Sequence, residues 1–212
     1  VTTIGDSAFL DCTSLASVVM PAVTSVGGQA FWGCTRLASV AVPAVTSIHN
    51  CAFYGCTSLT EIVADQWDTS SLTSLERVFI NCTNLTKLYA RDWDVSSVTT
   101  FVGLFANTGF TSVNDIVGLL PNSPTGWDFS SAESFEEMFM DSNLAGAVLW
   151  TNMETGSNLT SLNKMFAGTN VTAVTLNPSF NSVTSIKGMF EGTNLSSLPA
   201  RYVTTGTGST IG

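Results

Sequence analysis

The chain has 212 residues, with 16 acidic against 7 basic side chains and a formal net charge of -9. Charged residues make up 11%, less than half of the roughly 25% usual for a soluble domain, and 26 Ser and 29 Thr fill much of the gap. At 44% hydrophobic the chain has material for a continuous core, which argues against intrinsic disorder. The acidic balance argues against binding a phosphate backbone, which needs a basic stripe. No apolar run approaches the length of a membrane-spanning helix, and His49, the single histidine, leaves little room for acid–base or zinc chemistry.

From the first residues onward the sequence repeats. A Phe followed three residues later by Cys, Thr or Ser recurs at Phe9, Phe31, Phe53, Phe79, Phe105, Phe139, Phe166 and Phe190, in steps of 22, 22, 26, 26, 34, 27 and 24 residues. Apolar residues with Thr-Ser pairs precede the Phe, as in Val23-Thr24-Ser25-Val26, Val45-Thr46-Ser47-Ile48 and Leu72-Thr73-Ser74-Leu75. After it, Leu15/Val18/Met20, Leu37/Val40/Val42, Leu59/Ile62/Ala64 and Leu85/Leu88/Ala90 fall on one L-x-x-L-x-L template, the leucine-rich repeat signature. A unit of this length cannot bury its apolar side alone, but stacked units share one core. The pattern therefore predicts a β-rich solenoid: a right-handed leucine-rich-repeat coil of about eight repeats over 1–203, with a parallel sheet on one face. The Phe residues form an inward ladder in this arrangement.

Two dialects follow each other along the chain. Residues 1–64 use 22-residue units with Ala-Phe before the corner and Pro21 or Pro43 after the strand; residues 65–203 use longer units carrying Trp67-Asp68, Trp93-Asp94 and Trp127-Asp128, then Met138-Phe139, Met165-Phe166 and Met189-Phe190. The 34-residue step places an insertion at 114–126, where Pro121 and Pro124 rule out a regular helix. Insertions in repeat arrays bulge as loops and are often binding sites. Residues 204–212 read as a flexible Gly/Thr/Ser linker. Val1 is not a start residue and no signal peptide is in view, so the chain is expected to be a segment of something longer.

The first dialect resembles the BspA-like leucine-rich repeats of bacterial surface proteins, and the second is similar to a related bacterial surface repeat reading W-D-x-S-x-V-T-x-M-x-x-M-F. The resemblance covers nearly the whole chain. It implies an extracellular, cell-surface setting with adhesion to protein or carbohydrate ligands, and it supplies no catalytic residues.

Side-chain constellations favour structural roles. Cys12, Cys34, Cys56 and Cys82 share one repeat position, taken later by Thr108, Ser142, Thr169 and Thr193. A position that accepts Cys, Thr or Ser wants a small, partly polar side chain, so a buried ladder of reduced thiols is expected, with Cys51 off it. Stacked equivalents also point the same way, which is poor disulfide geometry. No C-x-x-C pair suggests zinc. The Trp-Asp pairs could form a sugar-binding strip, but their strict repetition at a core-like position favours Trp packing over the convex side and Asp capping the Ser-Ser turn behind it. Asp65/Asp68 and Asp92/Asp94 are the carboxylates open to calcium, though no Gly/Asp-rich nonapeptide accompanies them. N-x-S/T sequons at Asn81, Asn84, Asn158, Asn170 and Asn194 arise from the repeat's own phrase. A His49/Cys51 dyad is conceivable but sits beside Ala52-Phe53 in the expected core. No catalytic site, metal or cofactor is expected.

Recognition is expected on the strand face, whose outward positions are Ser17/Val19, Ser39/Ala41, Glu61/Val63, Lys87/Tyr89, Ser112/Asn114 and Ala173/Thr175. Most are small; the middle units gather Glu61, Lys87, Tyr89 and Arg91, and Tyr and Arg are enriched at binding hot spots. These four form the expected ligand-binding site. The function expected is non-enzymatic recognition or adhesion, with no nucleic acid partner and no membrane insertion. An alternative is a structural or receptor-binding module on a phage virion surface, suggested by the Ser/Thr/Asn-rich, low-charge composition.

Overall fold

In the computed structural model, which describes residues 1–119, 126–150, 156–176 and 182–196, the repeated Phe residues decide the architecture. Their rings stack along one axis from Phe9 to Phe190, with successive centroids 5.2, 5.3, 5.8, 6.2, 5.7, 5.8 and 6.0 Å apart. The rings from Phe31 to Phe166 are fully buried, while Phe9 and Phe190 are half-buried at the two ends. Interplanar angles stay at or below 7° except between Phe105 and Phe139, which are tilted by 26°. There Phe110 packs edge-on to Phe105. The expected β-solenoid is what forms: one hydrophobic core runs from Ile4 to Met189.

Strands line both sides of this core. On one side β1 (Thr3–Ile4), β3 (Ser25–Val26) and β5 (Ser47–Ile48) pair in parallel. Single bridges Ser74–Thr100–Ser134–Ser161–Ser185 continue in the same way. On the other side β2 (Ser17–Val19) pairs with β4 (Ser39–Ala41), β6 (Glu61–Val63) with β7 (Lys87–Tyr89) and β7 with β8 (Ile116–Val117). Farther along, β9 (Ala145–Trp150) pairs with β10 (Asn170–Leu176), with a bulge between Val171 and Ala173. All pairings are parallel, because each strand meets its equivalent one coil later.

Each coil turns its corners through two left-handed residues that flank the Phe. The first column is Ser7, Gln29, Cys51, Arg77, Gly103, Glu137, Lys164 and Gly188; the second is Asp11, Gly33, Gly55, Asn81, Asn107, Asp141, Gly168 and Gly192. A left-handed residue costs an L side chain about 1–2 kcal/mol. The second column obeys that preference with Gly, Asn and Asp; the first does so only at Gly103 and Gly188.

The corner ladder takes the expected form over its buried part. The Cys34, Cys56 and Cys82 thiols donate to the carbonyls of Phe9, Phe31 and Phe53 in the preceding coil, at 3.0, 3.2 and 3.0 Å. Thr108 and Thr169 instead donate to Phe105 and Phe166 of their own coil at 2.7 Å. All five thiols are free, and Cys12 departs from expectation by being exposed. It belongs to the first described coil, whose outer side has no neighbouring coil among the described residues.

The Trp residues are core. Trp67, Trp93 and Trp127 are buried and stacked at 5.8 and 5.3 Å. The indole N–H groups of Trp93 and Trp127 donate to the carbonyls of Ala64 and Ala90. They continue the column that Val23 and Val45 fill in the shorter coils, as the matching backbone bonds Val23→Met20, Val45→Val42, Trp67→Ala64 and Trp93→Ala90 show. The following Asp68 and Asp94 each accept from the N–H and hydroxyl of the Ser two residues on. This local turn adds width to the coil, and the larger indole fills it.

The long coil corrects one expectation. Ser112 and Asn114 are not outward strand positions: Ser112 caps a 3-10 turn at Val113–Asp115, and the strand is Ile116–Val117. Part of the extra length is thus spent before the strand, in that turn, and the rest after it. Pro121 and Pro124 of the expected insertion, and the expected linker at 204–212, lie outside the described residues.

Candidate functional site

Alternation along the strands on the second side fixes what this face presents. The middle residues Val18, Ile62, Leu88 and Ile116 point into the core, so the flanking residues point out. Register then places them in two rows across the coils. Ser17 pairs with Ser39 and, in the sheet of β6, β7 and β8, Glu61 pairs with Lys87, and Asp115 follows Lys87, one residue before the paired Ile116. The second row is apolar: Val19 pairs with Ala41 and, in the separate sheet of β6, β7 and β8, Val63 pairs with Tyr89 and Tyr89 with Val117. Val19 is 72% exposed and Val63 61%. Leu149, also 61% exposed, follows the buried Val148 in β9 as Tyr89 follows Leu88. Large apolar side chains left in water along one line are the informative feature of a surface.

Charged groups border this line in a definite order. The coil of β6 carries Glu61 before Val63 and Asp65 after it; the coil of β7 carries Lys87 before Tyr89 and Arg91 after it. Lys87 Nζ lies 3.8 Å from Asp115 Oδ1. The other oxygen of that carboxylate is fixed by the N–H groups of Thr111 and Ser112 and the hydroxyl of Thr111. The Arg91 N–H donates to Asp65 Oδ1 at 2.8 Å, leaving its guanidinium on an exposed residue.

The four residues expected as a site thus lie on adjacent coils of one face: Glu61 and Lys87 are direct neighbours, Tyr89 is two residues along β7 from Lys87, and Arg91 lies just past the strand end. Reading the sequence missed Asp65 and Asp115 as members and missed the apolar row. The signal for the row was present in Ser-Val-Val, Ser-Val-Ala, Glu-Ile-Val and Lys-Leu-Tyr, whose third residue is apolar each time.

The other candidates have structural roles. The His49 ring nitrogen is 3.2 Å from the Ser47 hydroxyl, and burial raises the Cys51 thiol above its ordinary range. A thiol so raised stays protonated near neutral pH and is a poor nucleophile. Asp68 and Asp94 are held below the usual carboxylate range, first by the Ser70 and Ser96 hydroxyls and then by the backbone N–H groups of the same residues. They serve as turn acceptors. Among the described residues no three His, Cys, Asp or Glu side chains are grouped to hold a metal ion, and no helix is long and apolar enough to cross a membrane.

The sequence model of the BspA type leucine rich repeat region matches this chain in six copies over residues 1–116. The chain belongs to the BspA-type leucine-rich repeat family. Family members are associated with bacterial surface proteins, their repeats are typically non-enzymatic, and the fold is consistent with a protein-binding repeat module. Among solved structures, the BspA-type chain is similar to the leucine rich repeat protein of T. pallidum, at 17% identity and a TM-score of 0.38, covering 89% of this chain and 63% of that one. It is also similar to leucine-rich repeat proteins from Bacteroides ovatus ATCC 8483 (15% identity, TM-score 0.32, 88% and 64% covered) and Eubacterium ventriosum ATCC 27560 (14%, 0.28, 94% and 82%). The chain thus spans less than two thirds of the first two. No curated protein matches it.

Proposed function

We propose that this BspA-type array is a non-enzymatic recognition segment of an extracellular bacterial surface protein, and that it binds a protein partner through the strand face at Glu61, Lys87, Tyr89 and Arg91. The observation that carries this reading is the paired apolar row of exposed Val63 and half-buried Tyr89 and Val117, bordered by charges, with exposed Val19 and Ala41 paired on the preceding coils. A central aromatic anchor with Arg beside it and a polar rim is the arrangement in which a few residues dominate binding energy. A protein is favoured over a glycan because the repeated Trp67, Trp93 and Trp127 are buried and the half-buried Trp32 and Tyr54 stack face to face on each other.

The test is capture of purified matrix and bacterial surface proteins by the immobilised chain. Tyr89→Ala and Arg91→Ala should each weaken capture at least about tenfold, a loss of about 1.4 kcal/mol, with little change in melting temperature. Capture that survives both substitutions and is lost on deleting 120–125 would move the site to the insertion and overturn the strand-face reading.

A further inference from the structure

We propose that the partner of this face is a second copy of the chain, docked strand face to strand face about a two-fold axis that runs parallel to the strands between β6 and β7. The inference rests on reading the strand face as the recognition surface and names what covers it.

The first argument is one of period. Parallel pairing sets Val63, Tyr89 and Val117 at about 4.8 Å per coil. An α-helix laid across the strands offers apolar side chains every 3.5 residues on average, about 5.2 Å, and slips out of step along the row. An extended peptide offers one about every 6.6–6.8 Å. A second copy presents the same paired coils with the same period and stays in step across them.

Charge then selects the orientation. Glu61 and Asp65 lie on one coil, Lys87 and Arg91 on the next, in matching places before and after the apolar residue. A two-fold axis along the strands exchanges these two coils and keeps position along the strand. Glu61 then meets Lys87 of the second copy, Asp65 meets its Arg91, and Val63 meets its Tyr89, each contact made twice by symmetry. An axis along the solenoid would set Glu61 against Asp65 and Lys87 against Arg91, which like-charge repulsion disfavours. The patch is also close to neutral, with three carboxylates counting Asp115 against two cations, on a chain whose net charge is -9. It is thus a region where two acidic molecules can approach with little repulsion.

The test is sedimentation equilibrium of the full chain at low and high salt. A reversible dimer is expected, weakened by salt. Lys87→Glu and Glu61→Lys should each weaken self-association at least tenfold, because each places like charges in contact twice. Mixing the two variants should restore a dimer, since both contacts become attractive again, and the double variant carrying both changes should dimerise alone. Circular dichroism and melting temperature confirm that each variant is folded. A wild-type chain that stays monomeric up to about 100 μM, or variants whose mixture does not recover, would overturn the second-copy assignment. If capture of another protein is then still lost in Tyr89→Ala, the strand-face reading survives without it. If the dimer forms but ignores both charge reversals, it uses another face and the proposal fails.

Discussion

Arg77 reaches across an entire coil to Glu137. Its Nη2 lies 3.6 Å from Glu137 Oε2 while Nη1 holds the neighbouring Glu76 at 2.7 Å. The coil between them has Gly103 at the equivalent corner, with φ 59°, and a Cβ there would sit 3.1 Å from Arg77 Cγ. The glycine leaves the path over which the arginine lies.

Gly103→Ala should therefore destabilise the array by about 1–2 kcal/mol, the cost of a left-handed L residue, with a further loss if Arg77 is displaced. Urea unfolding measures it. The ion pair itself should add little: Arg77 is 39% exposed, and a double-mutant cycle with Glu137 should give a coupling under about 1 kcal/mol. A coupling several times larger would mean the pair organises the corner.

Phe79→Ala should cost about 3–5 kcal/mol, the usual loss for a large buried aromatic. Phe79 is fully buried and stacks on Phe53 and on Phe105. Phe190→Ala should cost clearly less, because Phe190 is only half-buried and has one described stacking neighbour, Phe166. Equal losses would show that the ladder is not what sets the energy.

Burial pushes the Cys82 thiol up to about 12 and raises Cys34 and Cys56 as well. An unfolded thiol releases its proton near 8.5, so above that pH the unfolded chain binds fewer protons than the folded one. The stabilisation is complete below about pH 8.5 and is lost as pH rises toward about 12. Urea midpoints should fall between pH 8 and 10, and less steeply in Cys82→Thr, the residue used in later coils. In the native chain a thiol reagent should label exposed Cys12 first, then Cys51, with the buried three reacting only on unfolding. Rapid labelling of Cys56 would contradict the ladder.

Asp68 and Asp94 carry the opposite sign. Their folded values lie below the ordinary one because Ser70 and Ser96 donate to the charged carboxylate. Their contribution is present above about pH 3.9, the unfolded value, and is lost as pH falls through the lower folded one. The double variant Asp68→Asn/Asp94→Asn should lose less melting temperature than the wild type between pH 5 and pH 2.5. An identical acid slope would show that these turns do not hold the carboxylates in the ionised form.

The repeat and the Phe, Leu and Val core are readable along the chain. Phe at fixed spacing, Leu and Val on one template, and Cys exchanged for Thr at one position are local in sequence, and a one-dimensional stack repeats each of them in space. The Trp-Asp turns were legible for the same reason: Asp and Ser two residues apart fold on themselves without outside help. What the tertiary structure decided depends on contacts between coils. Arg77, Glu137 and Lys164 adopt left-handed corners against their own preference, with their N–H groups donating to Val102, Asn163 and Lys187 of the next coil. The strand of the long coil falls at Ile116–Val117 rather than around Ser112, because pairing with β7 sets the register once length no longer does. The apolar row through Val63 and Tyr89 became a surface only when its neighbours were in place, since a strand's alternation says which residues share a side and the stack says which side faces water.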